Sequence, residues 1–410
     1  MMTLFACGQS PVNYDESTIA PFELPDPLTT SAGREIKSVK DWEQLRRPEI
    51  LNLFKEEVYG HIPAGALVPK IEVMESSPAA LGGKASRKQV ALTFEKAGQR
   101  LQLLVLMYLP NEVDDPPLFV GYNFYGNQTI ADDPEILISN AWTRNSEDMS
   151  IAENIGTQAS RGKRSHRWAI DQIIDEGFGL VAIYYGDVDP DRDDFSDGIH
   201  PLFYASGQDK PKPNEWGSIG AWAWGMSRVL DYLQQDPQTQ ASKYIAFGHS
   251  RLGKTSLWAG ALDTRFSVVI SNNSGCGGAA LFKRKFGETA AAINRNFPHW
   301  FSDSFNAYSN KEEDLPIDQH MLMALVAPRP VYIASAEEDQ WADPKGEYLA
   351  GFHAGPVYEL YGKKGLPTAE PPKVNQPIMK DVGYHIRTGK HDVTDHDWEQ
   401  YIAFCKRHFK

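Results

Sequence analysis

The chain has 410 residues, 41% of them hydrophobic and 23% charged, with a formal net charge of −13 at pH 7. Its length and apolar content suffice for a large core, and an acidic balance with no basic face excludes a nucleic-acid backbone as partner. No apolar run reaches the roughly 18 to 20 residues that cross a bilayer, and three cysteines, Cys7, Cys276 and Cys405, are too few for a disulfide-stapled scaffold.

In chain order, "MMTLFACGQS" places Leu4, Ala6, Cys7 and Gly8 as the end of a bacterial lipoprotein signal does. Residues 1–34 therefore read as a signal remnant and an extended arm, with Cys7 a lipid-anchor site in the full precursor. An ordinary start with a chance cysteine is the other reading. A helical preface follows, opened by Ser38 and Asp41 in capping spacing, with Pro48 as the first residue of a second helix and Leu51, Phe54 and Val58 along one face. From about residue 69 the period changes. "KQVALTF" and "QRLQLLVLMYLP" alternate as a hairpin, and "PPLFVGYNF" and "FGLVAIYYGD" are short apolar runs typical of buried central strands. A helix carries Trp222, Met226, Val229 and Leu233. Strand 243–248, helix 251–262, strands 266–271, 329–335 and near 379–387, and a last helix from 395 complete the pattern. Strands alternating with helices predict an α/β fold, a mostly parallel sheet covered on both faces, and a single catalytic domain over 35–410.

The stretch "KYIAFGHSRLGKTSLWAGAL" runs from strand to helix with Ser250 at the bend. That is the setting of the α/β-hydrolase nucleophile, written G-x-S-x-G, although the second glycine here, Gly253, is displaced by one position. A serine between a strand and a helix also serves as a plain N-cap; the histidine and carboxylates downstream favour the nucleophile. His391 and His396 are the candidate bases, and His391, in the loop before the last helix, is the expected one. His385 inside the preceding strand reads as packed or surface. The triad acid can follow either of the next two strands. The first offers Asn272 and Asn273 and no carboxylate, and the second offers Glu337, Glu338, Asp339 and Asp343. A buried imidazolium needs an anion, so Asp339 is the expected acid.

With Ser250, Arg251, Lys254, Trp341 and His391 in view, the chain resembles the glucuronoyl esterases of carbohydrate esterase family 15, in their bacterial branch. The likeness runs from about residue 40 through "VYGHIPAG", "GYNFYGNQT", "SRLGK", "SGCGGAAL", "ALVAPRPVYIASAEEDQWADP" and "HDVTDHDW". It implies an α/β-hydrolase three-layer sandwich and a serine esterase, a carboxylic ester hydrolase of the 4-O-methyl-glucuronoyl methylesterase type. The substrate would be an ester of (4-O-methyl-)glucuronic acid, as in the cross-links between lignin and glucuronoxylan. Arg251 would border the oxyanion, Lys254 would reach the sugar hydroxyls, Trp341 would line the sugar face and Glu288 would accept bonds from sugar hydroxyls. Many members carry Glu where this chain has Asn273, so either Asp339 substitutes or the enzyme is impaired. The alternatives are another carbohydrate esterase, such as an acetyl-xylan esterase, and a catalytically impaired carbohydrate-binding homologue. "GDVDPDRDD" lacks the glycine and terminal glutamate of an EF-hand loop, and the triad chemistry needs no metal or cofactor. A secreted, periplasmic or outer-surface monomer is expected.

Overall fold

The computed structural model describes residues 12–409. Among these residues nine strands form one sheet in the order β1-β2-β3-β5-β4-β6-β7-β8-β9. The strands β1 (Lys70–Ala80), β2 (Ala85–Lys96) and β3 (Gln99–Pro110) make an antiparallel edge. Beyond them β5 (Gly179–Tyr184), β4 (Leu118–Asn123), β6 (Tyr244–His249), β7 (Phe266–Asn272), β8 (Val331–Ala336) and β9 (Val382–Arg387) all run parallel. Five of these strands, β4 to β8, are predicted within two or three residues. The outermost, β1, is not predicted as a strand, because it is a mostly exposed edge whose residues bury no face and whose Pro78 cannot donate to a ladder.

Period-2 alternation sorts side chains to the two faces. On β6, Tyr244 and Ala246 join one buried cluster, while Ile245 and Phe247 join the other. The first face is covered by α1 (Arg47–Phe54), α2 (Ser218–Leu233), α3 (Arg251–Leu262) and α4 (Pro344–His353); the second carries α5 (Asp395–His408), with Trp398, Tyr401 and Phe404 inward. Sheet and helices therefore form three layers.

The helical preface begins where predicted, with the Ser38 hydroxyl accepting from the Asp41 N–H at 3.1 Å and Pro48 in the first turn of α1. It continues as one rod to Tyr59 through two wider π-helical turns, Trp42–Arg46 and Lys55–Tyr59. Tyr59 stacks on Trp258 of α3 at 4.4 Å and donates to the Gly277 carbonyl at 2.9 Å. A buried aromatic pair of this kind adds about 1 kcal/mol beyond its area, so the preface braces the helix behind Ser250. Cys276 and Cys405 are both buried free thiols. No helix among the described residues is long and apolar enough to cross a membrane; Cys7 lies outside the described residues.

Candidate active site

Parallel strands end on one edge of the sheet, where loops converge. Ser250 follows β6, Asn273 follows β7, Asp339 follows β8 and His391 follows β9. Ser250 sits at φ 59°, ψ −130°, a conformation that L-residues adopt only under strain. Its N–H donates to the Asn272 carbonyl at 2.9 Å. Gly248 permits the bend, because a Cβ there would lie 1.9 Å from the Leu252 carbonyl oxygen. The displaced Gly253 lets α3 approach the loop after β7, since its Cβ would lie 2.9 Å from that of Ser274. Behind the serine the first amides of α3 have no intrahelical acceptor, and the helix dipole favours an anion there.

His391 Nδ1 lies 2.6 Å from Asp339 Oδ2. With an ionised carboxylate as partner, Nδ1 carries the proton and Nε2 is left as the acceptor. Burial would raise the Asp339 pKa, but the bonds from His391 and Asn273 outweigh it and hold the carboxyl below its usual range. Asn273 Nδ2 donates to that same Oδ2 at 2.9 Å. Among the described residues Ser250 Oγ has no hydrogen-bond partner; such bonds are often long before substrate binds and tighten in the complex. His396 lies on the first turn of α5, within 3.8 Å of Glu399. Asp343 caps α4 through the Gly346 N–H and faces Arg284 at 3.2 Å. Neither is linked to the Asp339–His391 pair.

Arg251 leaves the helix start into an aromatic box. Its guanidinium lies 4.8 Å from the Trp300 ring, 5.5 Å from Phe124 and 5.7 Å from Phe297, and it pairs with Asp191. Asp191 is fully enclosed and also accepts from Arg144 at 2.9 Å, His299 at 2.9 Å, Trp300 Nε1 at 2.7 Å and Tyr185 at 3.1 Å. Burial pushes the Asp191 carboxyl up, yet the Arg251 charge and these donors hold it well below the usual range. Asp191 belongs to "GDVDPDRDD", whose spacing suggests nothing beyond an incomplete metal loop. Its actual partner lies 60 residues on, a distance no local pattern spans.

Lys254 is more enclosed than a residue facing open solvent. Its amine donates to the carbonyls of Ser274 at 2.5 Å and Cys276 at 2.7 Å, and lies 3.8 Å from Glu288. Burial lowers its pKa. Two of its three N–H bonds are thus occupied, and one is left for a sugar hydroxyl or for Glu288. Glu288 is itself buried, which raises its pKa, and its N–H donates to the Trp341 carbonyl at 3.0 Å. The Trp341 side chain, by contrast, is 38% exposed. Lys254, Glu288 and Trp341 therefore form one continuous wall beside Arg251.

This assembly can activate a hydroxyl, hold a developing oxyanion beside a cation, and present an aromatic face with polar groups. Comparisons with known proteins agree with that chemistry. Residues 167–362 match the family model described as fungal glucuronyl esterase. A carbohydrate esterase from an unknown prokaryotic organism is 46% identical over 397 residues, covering 97% of this chain and 92% of its own. A 4-O-methyl-glucuronoyl methylesterase of Neurospora crassa is 27% identical over 85% of this chain and 75% of its own. Among solved structures, a promiscuous family 15 esterase from a marine bacterial metagenome superposes with a TM-score of 0.91 at 46% identity, covering 97% of this chain and all of the other. A glucuronoyl esterase from Solibacter usitatus gives 0.90 at 42% identity, covering 96% of this chain and all of the other. With the α/β-hydrolase sheet, the serine turn and these relatives together, the chain belongs to carbohydrate esterase family 15, the glucuronoyl esterases.

Proposed function

We infer that this protein hydrolyses esters of glucuronic acid, including the 4-O-methyl form that links glucuronoxylan to lignin alcohols, and does so in two steps through Ser250. His391 Nε2 takes the Ser250 proton as Oγ attacks the uronate carbonyl. The first amides of α3 and the Arg251 guanidinium stabilise the tetrahedral oxyanion. Its collapse breaks the ester C–O bond, and His391 returns the proton to the departing alcohol. Water then repeats the sequence on the acyl-enzyme and frees the uronic acid. Asp339 keeps the His391 tautomer and balances its charge, while Lys254, Glu288 and Trp341 grip the sugar. The observation that carries this reading is the Asp339–His391 pair at 2.6 Å on the same sheet edge as the strained Ser250 turn. It also counts against the impaired-homologue alternative, which needed the missing carboxylate at Asn273 to go unreplaced.

The test is a substrate panel. Methyl and benzyl glucuronates should be cleaved with higher kcat/KM than acetyl-xylan or p-nitrophenyl acetate, and Ser250→Ala should lose at least about 10⁴-fold on the glucuronates. Preference for acetyl esters, or a Ser250→Ala variant within tenfold of the parent, overturns the assignment. The same reading places the enzyme outside the bacterial cytoplasm, as a monomer, with Cys7 acylated in the precursor. Palmitate labelling of the full-length protein and of its Cys7→Ser variant, with light scattering of the mature form, checks those points.

A further inference from the structure

Beneath the catalytic groups lies a second buried polar cluster that no step above uses. At its centre is Asp397, in the first turn of α5, whose side chain is fully enclosed. Its Oδ1 accepts from His385 Nε2 at 2.9 Å and Asn272 Nδ2 at 3.3 Å. Its Oδ2 accepts from Arg387 Nε at 2.7 Å and from the N–H and hydroxyl of Thr394, each at 2.8 Å.

Arg387 ends β9, and its remaining donors go to the loop that follows. Nη1 donates to the Thr388 carbonyl at 3.1 Å, and Nη2 donates to the carbonyls of Lys390 at 3.0 Å and Asp392 at 2.6 Å. His391 therefore stands between two carbonyls pinned by one guanidinium nitrogen. On the other side, Asn272 takes the Ser250 N–H on its own carbonyl and bonds His249 Nδ1 at 2.6 Å and the Tyr401 hydroxyl at 2.7 Å through its side chain. The His249 ring in turn underlies that of His391, 4.5 Å away. The backbones that carry nucleophile and base are each one residue removed from the same carboxylate.

We propose that Asp397 and Arg387 are positioning residues that set the separation between Ser250 Oγ and His391 Nε2. The proposal rests on the triad reading above. A guanidinium holds three carbonyls and a carboxylate at once because its donors lie in a rigid plane, whereas an ammonium offers a compact point charge that cannot span them. The carbonyls of an unpinned loop turn toward water, and the imidazole moves with them. A displacement near 1 Å at a reacting group costs on the order of 10²-fold in rate. A cluster that merely stapled α5 to the sheet would change the melting temperature and leave the rate per folded molecule intact.

The experiment follows Ser250 directly. The parent protein, Arg387→Lys and Arg387→Ala are treated with a fluorophosphonate well below their melting temperatures, and the labelled residue and its rate are read by mass spectrometry, beside kcat and KM on benzyl glucuronate. Arg387→Lys should label Ser250 at least tenfold more slowly and lose kcat in proportion, with KM within about twofold. Added guanidinium should recover threefold or more for Arg387→Ala. Labelling of Arg387→Lys within threefold of the parent, whatever its melting temperature, overturns the proposal. A parent that is never labelled at Ser250 instead overturns the triad reading. If neither Arg387 variant folds, Thr394→Val, which removes one bond to Asp397, decides by the same rate: a threefold or larger loss supports the proposal and an unchanged rate overturns it.

Discussion

Asn273 and Asp339 meet on a single oxygen, the one that also faces His391. The amide can donate but cannot balance an imidazolium, so the two residues differ sharply in what their loss does. Asp339→Asn should lower kcat by up to about 10⁴-fold, because the new amide favours the wrong tautomer. Asn273→Ala removes one hydrogen bond to a charged acceptor, about 3 kcal/mol at most, and should cost no more than about 150-fold. Steady-state kinetics on one glucuronate ester compares them; equal losses would mean that Asp339 does not serve as the acid. Asp191 makes a second residue-scale prediction. Its carboxylate anchors Arg251, so Asp191→Asn should cost roughly 10²-fold in kcat, comparable with loss of one oxyanion donor. The double variant with Arg251→Gln should be no worse than Arg251→Gln alone, since residues acting as one unit do not add. Additive losses would uncouple Asp191 from the oxyanion.

At the scale of elements, the legible parts are those where burial leaves a periodic trace. Buried runs such as "FGLVAIYYGD" and the elbow "AFGHSRLGK" carry their own signals of apolar continuity and paired glycines. The edge strand β1 carries none, because a strand exposed on both faces need not alternate. The short helix α4 leaves no such trace either, because its Asp343 cap and Pro344 start follow directly on the acidic stretch that carries Asp339. Likewise, the wall of Lys254, Glu288 and Trp341 depends on Lys254 of α3 reaching the loop after β7 and Glu288 beyond it. Spacing in the chain cannot show that. The elbow itself gives a direct test. Gly248→Ala forces a methyl group onto the Leu252 carbonyl, so the turn must open. The variant should lose activity on all esters and unfold at a clearly lower temperature, as calorimetry would read; a parent-like melting curve would mean the bend tolerates a side chain.

For the whole molecule, buried carboxyls decide the pH dependence of stability. Desolvation pushes Glu347 up to about 8, Asp187 and Asp343 up to about 7 and Asp318 up to about 6. Unfolded, these groups titrate near 4. Between about pH 4 and their folded values the native state binds more protons than the unfolded one, so stability falls as pH rises through that window. The opposite group, Asp339 and Asp397, has lowered values and loses its contribution only as pH falls below about 4. The melting temperature should therefore peak in mildly acidic solution and decline toward pH 8. Glu347 accepts from the N–H groups of Ser274 and Gly275 and from the Ser335 hydroxyl, contacts that a glutamine can keep. Glu347→Gln should flatten the decline without lowering the melting temperature at pH 5. An unchanged slope would mean that Glu347 is ionised throughout.

The placement of His391 after the last strand also bears on how the enzyme comes to exist. On the proposed roles, Ser250 leaves the ribosome some 140 residues before its base does, and β9 is made after the other eight strands of the described sheet. A chain that stops before β9 carries Ser250 with no imidazole to deprotonate it. With those roles, hydrolysis begins only once β9 has joined the sheet and set His391 beside Asp339, so activity itself reports that the described sheet is fully assembled.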